Sequence, residues 1–181
     1  SRGLGDVYKR QGKDLVPNHL TFFIFHHVAI FPPKHWPKGV SVNGFVMIEG
    51  KPLSKRAGRI IAISDSVNEY GADTVRLNLV SAADGIDDPN WSSKRAEELK
   101  NTIRRFYEYV LKLYHQEGDT QEDHMDRWLL SRLQIRIKNI TEHIERMKLR
   151  AGLIEAFYNL WNDLRWYEKR RGSVNARTIK A

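Results

Sequence analysis

The chain has no cysteine among its 181 residues. Disulfides, thiolate nucleophiles and cysteine-held zinc are therefore excluded from this segment. Long hydrophobic runs are missing as well: none approaches the roughly 20 apolar residues that a membrane-spanning helix needs. No charged-then-apolar leader opens the sequence. A soluble, monomeric cytoplasmic protein without a membrane partner is the expectation. Acidic excess is also absent, since 30 Lys and Arg stand against 22 Asp and Glu, a formal charge of +8. The surplus is uneven. Residues 1–90 carry 11 basic and 9 acidic groups, whereas residues 91–181 carry 19 and 13. The second half is thus the better candidate to face phosphates, although the same excess describes many solvated helical surfaces. A hydrophobic fraction of 41% suffices for a genuine core in one domain or two small ones.

The opening SRGLGDVYKRQ has neither a hydrophobic period nor a cap leading onward. It is similar to translated adapter sequence, so residues 1–11 are set aside as non-native, with the true gene extending upstream. The apolar run Leu20–Phe31, broken by His26 and His27, suits a mostly buried helix, and Pro32, Pro33 and Pro37 mark a loop after it. VSVNGFVMI, residues 40–48, is β-branched and aromatic with a central glycine, as in a strand or hairpin arm. Ser64 or Asp65 is placed to cap a helix that stops at Gly71, and Asp73 to cap the next. Three long apolar stripes follow at helical spacing. Leu99, Ile103, Phe106, Val110, Leu113 and Tyr114 form the first, a helix closed by Gly118. Leu129, Leu133, Ile137, Ile140, Ile144 and Met147 form the second, and Ile154, Phe157, Trp161 and Leu164 the third. The stripes predict an antiparallel helical bundle. An α/β layer precedes it, with the boundary near residues 82–92.

The segment richest in chemistry is Glu49-Gly50-Lys51-Pro52-Leu53-Ser54-Lys55-Arg56-Ala57-Gly58-Arg59. Four cations within nine residues repel one another unless an anion joins them, and ammonium and guanidinium groups bind phosphate oxygens strongly. The two glycines give such a loop freedom to close over a ligand. A solvated turn has the same composition, so the loop alone does not decide the matter.

Its neighbours do more. The loop resembles the KMSKS signature of class I aminoacyl-tRNA synthetases. Residues 12–50 resemble the stretch ahead of that signature in leucyl-tRNA synthetases of the archaeal and eukaryotic type. EYGADTVRLNLVSAA resembles the GAD-x-x-R segment after it, and DRWLLSRLQ, residues 126–134, resembles the opening of the anticodon-binding helical domain. The resemblance implies a remnant of a Rossmann-type α/β catalytic domain followed by an all-α bundle, predominantly helical overall. Its implied domains are 12–85 for the end of the catalytic domain with the loop at 51–59, 86–121 for a connecting helix, and 122–181 for an incomplete anticodon-binding bundle. The implied activity is a leucine–tRNA ligase, with leucine, ATP accompanied by Mg2+, and tRNA-Leu as partners. The N-terminal HIGH-type motif is outside the segment, so the fragment alone is expected to be inactive.

Position by position, the resemblance makes Lys55 the lysine that faces the leaving pyrophosphate, with Ser54 beside it as the second catalytic position. Pro52, Leu53 and Arg56 depart from the signature. Proline there deletes a cation and a backbone donor, a feature that also suits a degenerate paralogue. Gly12 and Asp14 match the glycine-and-acid motif beside the ATP ribose, His19 matches the family histidine, and Val46 would offer backbone groups to adenine. Asp73 and Arg76, three apart on a helix, read as a structural cap and tie. His26, His27 and His35 have no carboxylate or thiol partner at ligand spacing, so no protein-held metal is expected. In the bundle, Arg104, Arg105, Arg146, Lys148, Arg150, Lys169, Arg170 and Arg171 are the candidate tRNA contacts, through backbone phosphates. Tyr107, Trp128, Trp161 and Trp166 fall on or beside the stripes and are assigned to the core before base stacking. A valine, isoleucine or methionine synthetase shares the downstream motifs, and a basic helical interaction module is the remaining alternative.

Overall fold

A computed structural model describes residues 9–54, 56, 58 and 60–180. The chain divides into two compact units, Ser1–Ile60 with Ala82–Trp91, and Ile61–Ser81 with Ser92–Ala181. Among the described residues no helix is long and apolar enough to cross a membrane.

The first unit is built on short strands. Strand β1 (Lys9–Gly12) pairs in parallel with β2 (Val40–Asn43), in a register that sets Gly12 opposite Asn43. Three of the eleven residues set aside as adapter-like therefore belong to a strand, and residues 1–8 lie outside the described ones. Parallel strands cannot share a tight turn, and residues 13–39 make the crossover through helix α1 (Thr21–Ile30). A π-type turn over Val16–Leu20 leads into α1. The expectation of a mostly buried helix fails here. Leu20 and His27 are buried, but Phe22 is 62% and Phe25 69% exposed. The run is apolar on every face, so no side of it is marked as the inner one. β3 (Met47–Ile48) and β4 (Lys51–Pro52) form an antiparallel hairpin, and β5 (Asn90–Trp91) pairs in parallel on the other side of β3.

The second unit begins with α2 (Ile63–Tyr70) and α3 (Ala72–Ala82), separated by Gly71 at φ 88°. That backbone conformation favours glycine and ends α2 where the sequence places its stop. Neither Ser64 nor Asp65 caps α2: the cap position is Ala62, and Asp65 sits in the first turn, where its charge suits the helix dipole. Asp73 likewise lies inside α3, paired at 3.2 Å with Arg76 on the surface. The α2–α3 pair docks on α4 (Ser93–His115) by named bonds. Lys100 Nζ donates to the Glu69 carbonyl at 2.8 Å, Arg95 to the Ser81 hydroxyl at 3.0 Å, and the buried Asn78 amide to the Ser92 carbonyl at 3.3 Å.

Helices α4, α5 (His124–Glu145) and α7 (Leu160–Arg171) form the expected bundle. Contacts between α5 and α7 run in opposite chain directions, from Asp126–Tyr167 to Arg136–Asp163, as an antiparallel pair requires. Leu113, Leu129, Tyr167 and Val174 are its buried centre. Farther along α5 the apolar stripe does not stay inside, since Ile137 and Ile144 are half exposed. Two helical turns from Leu129 the inward position is Arg136, seven residues on, which is 12% exposed and bonds Asp163 at 2.8 Å and Glu155 at 2.6 Å. The third stripe is interrupted by a π-type turn at Ile154–Asn159 between α6 (Leu149–Leu153) and α7, and a short α8 (Ala176–Lys180) closes the chain. Gly118 does not cap α4. A Cβ there would run into the backbone carbonyl of Val174, so the glycine permits close approach of two segments.

One buried carboxylate ties these segments together. Asp126 accepts from the Tyr167 hydroxyl at 2.5 Å, the Asp123 amide at 2.7 Å and Arg171 Nε at 3.4 Å, and Asn175 N–H donates to the same Tyr167 oxygen at 2.9 Å. Burial opposes ionisation of Asp126, but the Tyr167 and Asp123 donors and the Arg171 cation outweigh it and hold the carboxyl below its usual range. Burial and the same carboxylate push the Tyr167 phenol up to about 12. Because the folded-state pKa of Asp126 is depressed, its stabilising contribution is full above the unfolded value of about 4 and is lost as pH falls below it. Asp126→Ala should lower stability by about 3 kcal/mol in urea melts at pH 7. The difference from the parent should shrink as pH falls below about 4.

Candidate functional site

In the first unit, the carboxyl ends of two parallel strands lie side by side, the position at which open α/β sheets bind ligands. From β1 come Gly12 and Asp14. A Cβ on Gly12 would lie 2.6 Å from Asp14 Oδ1, so the glycine leaves the space into which this carboxylate folds. From β2 come Gly44, Phe45 and Val46, the last leading into β3. Gly44 is buried, and a Cβ there would run into the Asp87 carbonyl. Asp14 and His19 are exposed to solvent. The His19 amide bonds the Asn18 side chain, within the π-type turn that precedes α1. His26 and His27 direct Nδ1 toward the Phe22 and Phe23 carbonyls, 2.7 and 3.0 Å away, so each is engaged within its own helix.

The basic loop starts as the second arm of the β3–β4 hairpin. Glu49 at φ 48° and Gly50 at φ 74° make its two-residue turn, the left-handed pair that matches strand twist. Around such a turn the flanking pair, Ile48–Lys51, exchanges the hydrogen bonds and the next pair, Met47–Pro52, does not. β4 is also an edge strand. Pro52 therefore sits where its missing N–H costs no ladder bond. Leu53 is 48% exposed, Ser54 is partly buried and Arg56 is exposed. Lys55, Ala57 and Arg59 lie outside the described residues, so the placement of the assigned lysine is not among the structural observations.

Four residues absent from the sequence reading join this site: Lys13, Phe45, Asp88 and Asn90. Lys13 Nζ pairs with Asp88 at 2.7 Å and lies 5.6 Å from the centre of the Phe45 ring. Asp88 also accepts from the Phe45 amide at 2.6 Å, and Asn90 Oδ1 accepts from the Gly50 amide at 2.7 Å. The signal available was the acid run Asp84, Asp87, Asp88 in a stretch treated as a domain boundary.

In the second unit, α4 and α7 border an open cleft of about 820 Å³ lined by Arg105, Tyr109, Trp161, Arg165, Trp166 and Lys169 among others. Its one carboxylate, Glu168, is held below the usual range, first by Lys112 at 2.7 Å and also by the Tyr109 hydroxyl. Arg105, Arg165 and Lys169 are exposed and leave the cleft positive. Arg170 stacks on Trp166, 4.4 Å from the ring centre. Trp161 packs against Phe106 and Phe157, as a core residue should, whereas Trp166 and Tyr107 are 46% and 62% exposed, contrary to a core assignment. Arg171 is a further correction. It is 10% exposed and spans Asp119, Asp123 and Asp126, so it is committed to the fold and not presented to a ligand. Arg104 has Glu108 at 3.9 Å, while Arg146 and Lys148 are exposed at the turn joining α5 to α6 and Arg150 in the first turn of α6. Arg165 was missed, although it stands four residues from both Trp161 and Lys169 on one helix face.

A family model described as tRNA synthetases class I (M) matches residues 5–104, more than half of the chain. The chain belongs to the class I tRNA synthetases. Residues 126–178 of this synthetase chain also match the anticodon-binding domain of tRNA ligase. It is 45% identical over 165 residues to the leucine–tRNA ligase of Pyrococcus horikoshii, covering 90% of the chain and 17% of that relative. It is equally identical to that of Archaeoglobus fulgidus, with 91% and 18% covered. The chain thus spans under one fifth of the length of these curated relatives. Among solved structures, a ternary complex of the Agrobacterium radiobacter K84 agnB2 LeuRS with tRNA and LeuAMS shares the fold at a TM-score of 0.76. That match has 22% identity and covers 98% of this chain and 24% of the other. Mycobacterium tuberculosis methionyl-tRNA synthetase bound by methionyl-adenylate follows at a TM-score of 0.75 and 16% identity, covering 90% and 34%.

Proposed function

We propose that the chain is part of a cytoplasmic leucine–tRNA ligase, supplying one side of its ATP site and the helices that brace its tRNA. The observation that carries this reading is the 45% identity to two archaeal leucine–tRNA ligases across nine tenths of the chain. In the reaction, the leucine carboxylate attacks the α-phosphate of ATP, pyrophosphate leaves, and leucine passes from the adenylate to the 3′ end of tRNA-Leu. Gly12 lets the nucleotide approach the backbone and Asp14 accepts from ribose hydroxyls. Val46 presents backbone groups to adenine, and His19 joins the residues that bind ATP. Lys55 stabilises the charge that grows on the leaving pyrophosphate, with Ser54 beside it, and Mg2+ enters with ATP. Lys51 and Arg56 supply the positive charge that Pro52 removes from the signature.

Pro52 also bears on the rival reading, a paralogue that has lost aminoacylation. Its place on an edge strand, at a pair that exchanges no hydrogen bonds, accommodates proline without damage to the hairpin and favours the active reading. A full-length protein carrying this sequence should catalyse leucine-dependent ATP–pyrophosphate exchange. Lys55→Ala should reduce it by about 10²–10³-fold, and Pro52→Lys should change it little. Absence of exchange in the parent together with its appearance in Pro52→Lys would establish the rival.

The positive α4–α7 cleft, with Trp166 exposed beside it, supports tRNA bracing through phosphates and stacking. Arg165→Ala and Lys169→Ala should each weaken tRNA binding and reduce the slope of log affinity against log salt by about one. Arg171→Ala should instead lower the melting temperature. Filter binding across a salt series, paired with thermal melts, separates the two effects.

A further inference from the structure

Two loops that leave neighbouring parallel strands are not fixed relative to each other by the strand pairing alone, since each emerges on its own chain. In the first unit, the turn after β1 carries Gly12 and Asp14, and the turn after β2 carries Gly44, Phe45 and Val46. One segment distant in sequence bridges both. Asp88 pairs with Lys13, the residue between Gly12 and Asp14, at 2.7 Å and accepts from the Phe45 amide, next to Val46, at 2.6 Å. Lys13 also donates to the Ile86 carbonyl at 3.4 Å. Gly44 is the only residue type that fits against Asp87 without moving the backbone. The following residues continue the attachment, with the Met47 amide donating to the Pro89 carbonyl at 2.8 Å and the Gly50 amide to Asn90 at 2.7 Å.

We propose that Asp88 is a positioning residue of the ATP site, its carboxylate fixing the ribose-facing turn against the adenine-facing strand by holding Lys13 and the Phe45 amide together. The proposal rests on the ATP-site reading given above. Asp88 itself touches no substrate. It acts by keeping the distance between Asp14 and Val46 constant, so that adenine and ribose are bound together and not in alternation. The Lys13 ammonium, and after it the Phe45 amide, keep the Asp88 carboxyl below its ordinary range, in line with an ionised bridge. Asn90 extends the same bridge to Gly50, at the root of the loop that carries Lys55.

The test is steady-state ATP–pyrophosphate exchange by the full-length protein, with KM for ATP and for leucine measured separately. Asp88→Ala removes both bonds and should raise KM for ATP about tenfold while leaving KM for leucine within about twofold. Asp88→Asn retains an acceptor for the Phe45 amide but loses the charge, and should fall between parent and alanine variant. Should Asp88→Ala fail to fold by circular dichroism, the near-isosteric asparagine variant carries the measurement. Asp14→Ala is the control for the site itself. If it raises KM for ATP while both Asp88 variants match the parent, or raise both KM values together, the role of Asp88 is overturned and the ATP-site reading stands. If Asp14→Ala leaves KM for ATP unchanged, the ATP-site reading fails and the role of Asp88 fails with it.

Discussion

The parallel pairing of β1 with β2 is the constraint on which the first unit depends. Parallel neighbours need a crossover, and residues 13–39 provide it, which brings the glycine-and-acid turn at Gly12 beside Asn43 and Gly44 although some thirty residues separate them in sequence. A shift of register by one residue would turn every side chain on the strand to the other face. The small three-stranded sheet works with this pair, because β5 follows directly on the Asp87–Asp88 turn and its pairing with β3 brings that turn to the Gly44–Phe45 backbone.

In the second unit the deciding group is polar. An ionised carboxylate at the end of a helical bundle is costly to bury unless each oxygen is bonded. Asp126 meets that demand with partners from the N-cap of α5, from α7 and from the segment before α8. The same carboxylate withdraws Arg171 from the basic surface, while Lys112 and Tyr109 engage Glu168 and leave the cations along the α4–α7 cleft uncompensated. Which basic residues are available to a polyanion is thus set by where the acids are placed, and a count of Lys and Arg does not reveal it.

Long periodic features were legible in the sequence. The three helical stripes rest on signals repeated over many residues, and the end of α2 on one glycine whose φ of 88° few other residues adopt. Features that depend on a single distant partner were not. Asp88 looks like a solvated loop acid until Lys13 and the Phe45 amide are placed beside it. Arg171 looks like the last of a basic triplet until Asp119 and Asp126 are seen around it. Pro52 reads as a defect in a signature loop, because its tolerance follows from hairpin register and edge position, which only the fold supplies. The apolar run of α1 misled for a related reason: with apolar residues on all sides, it carries no period from which to tell the inner face.

In the proposed enzyme the adjoining carboxyl ends of β1 and β2 hold the adenosine of ATP. The most direct test is a crystal structure of the full-length protein with a non-hydrolysable ATP analogue. The expected result is adenine against the Val46 backbone, ribose hydroxyls on Asp14 over Gly12, and the triphosphate reaching toward the loop of residues 51–59. Adenosine bound away from the Gly12–Asp14 turn, with Asp14 left in solvent, would contradict it.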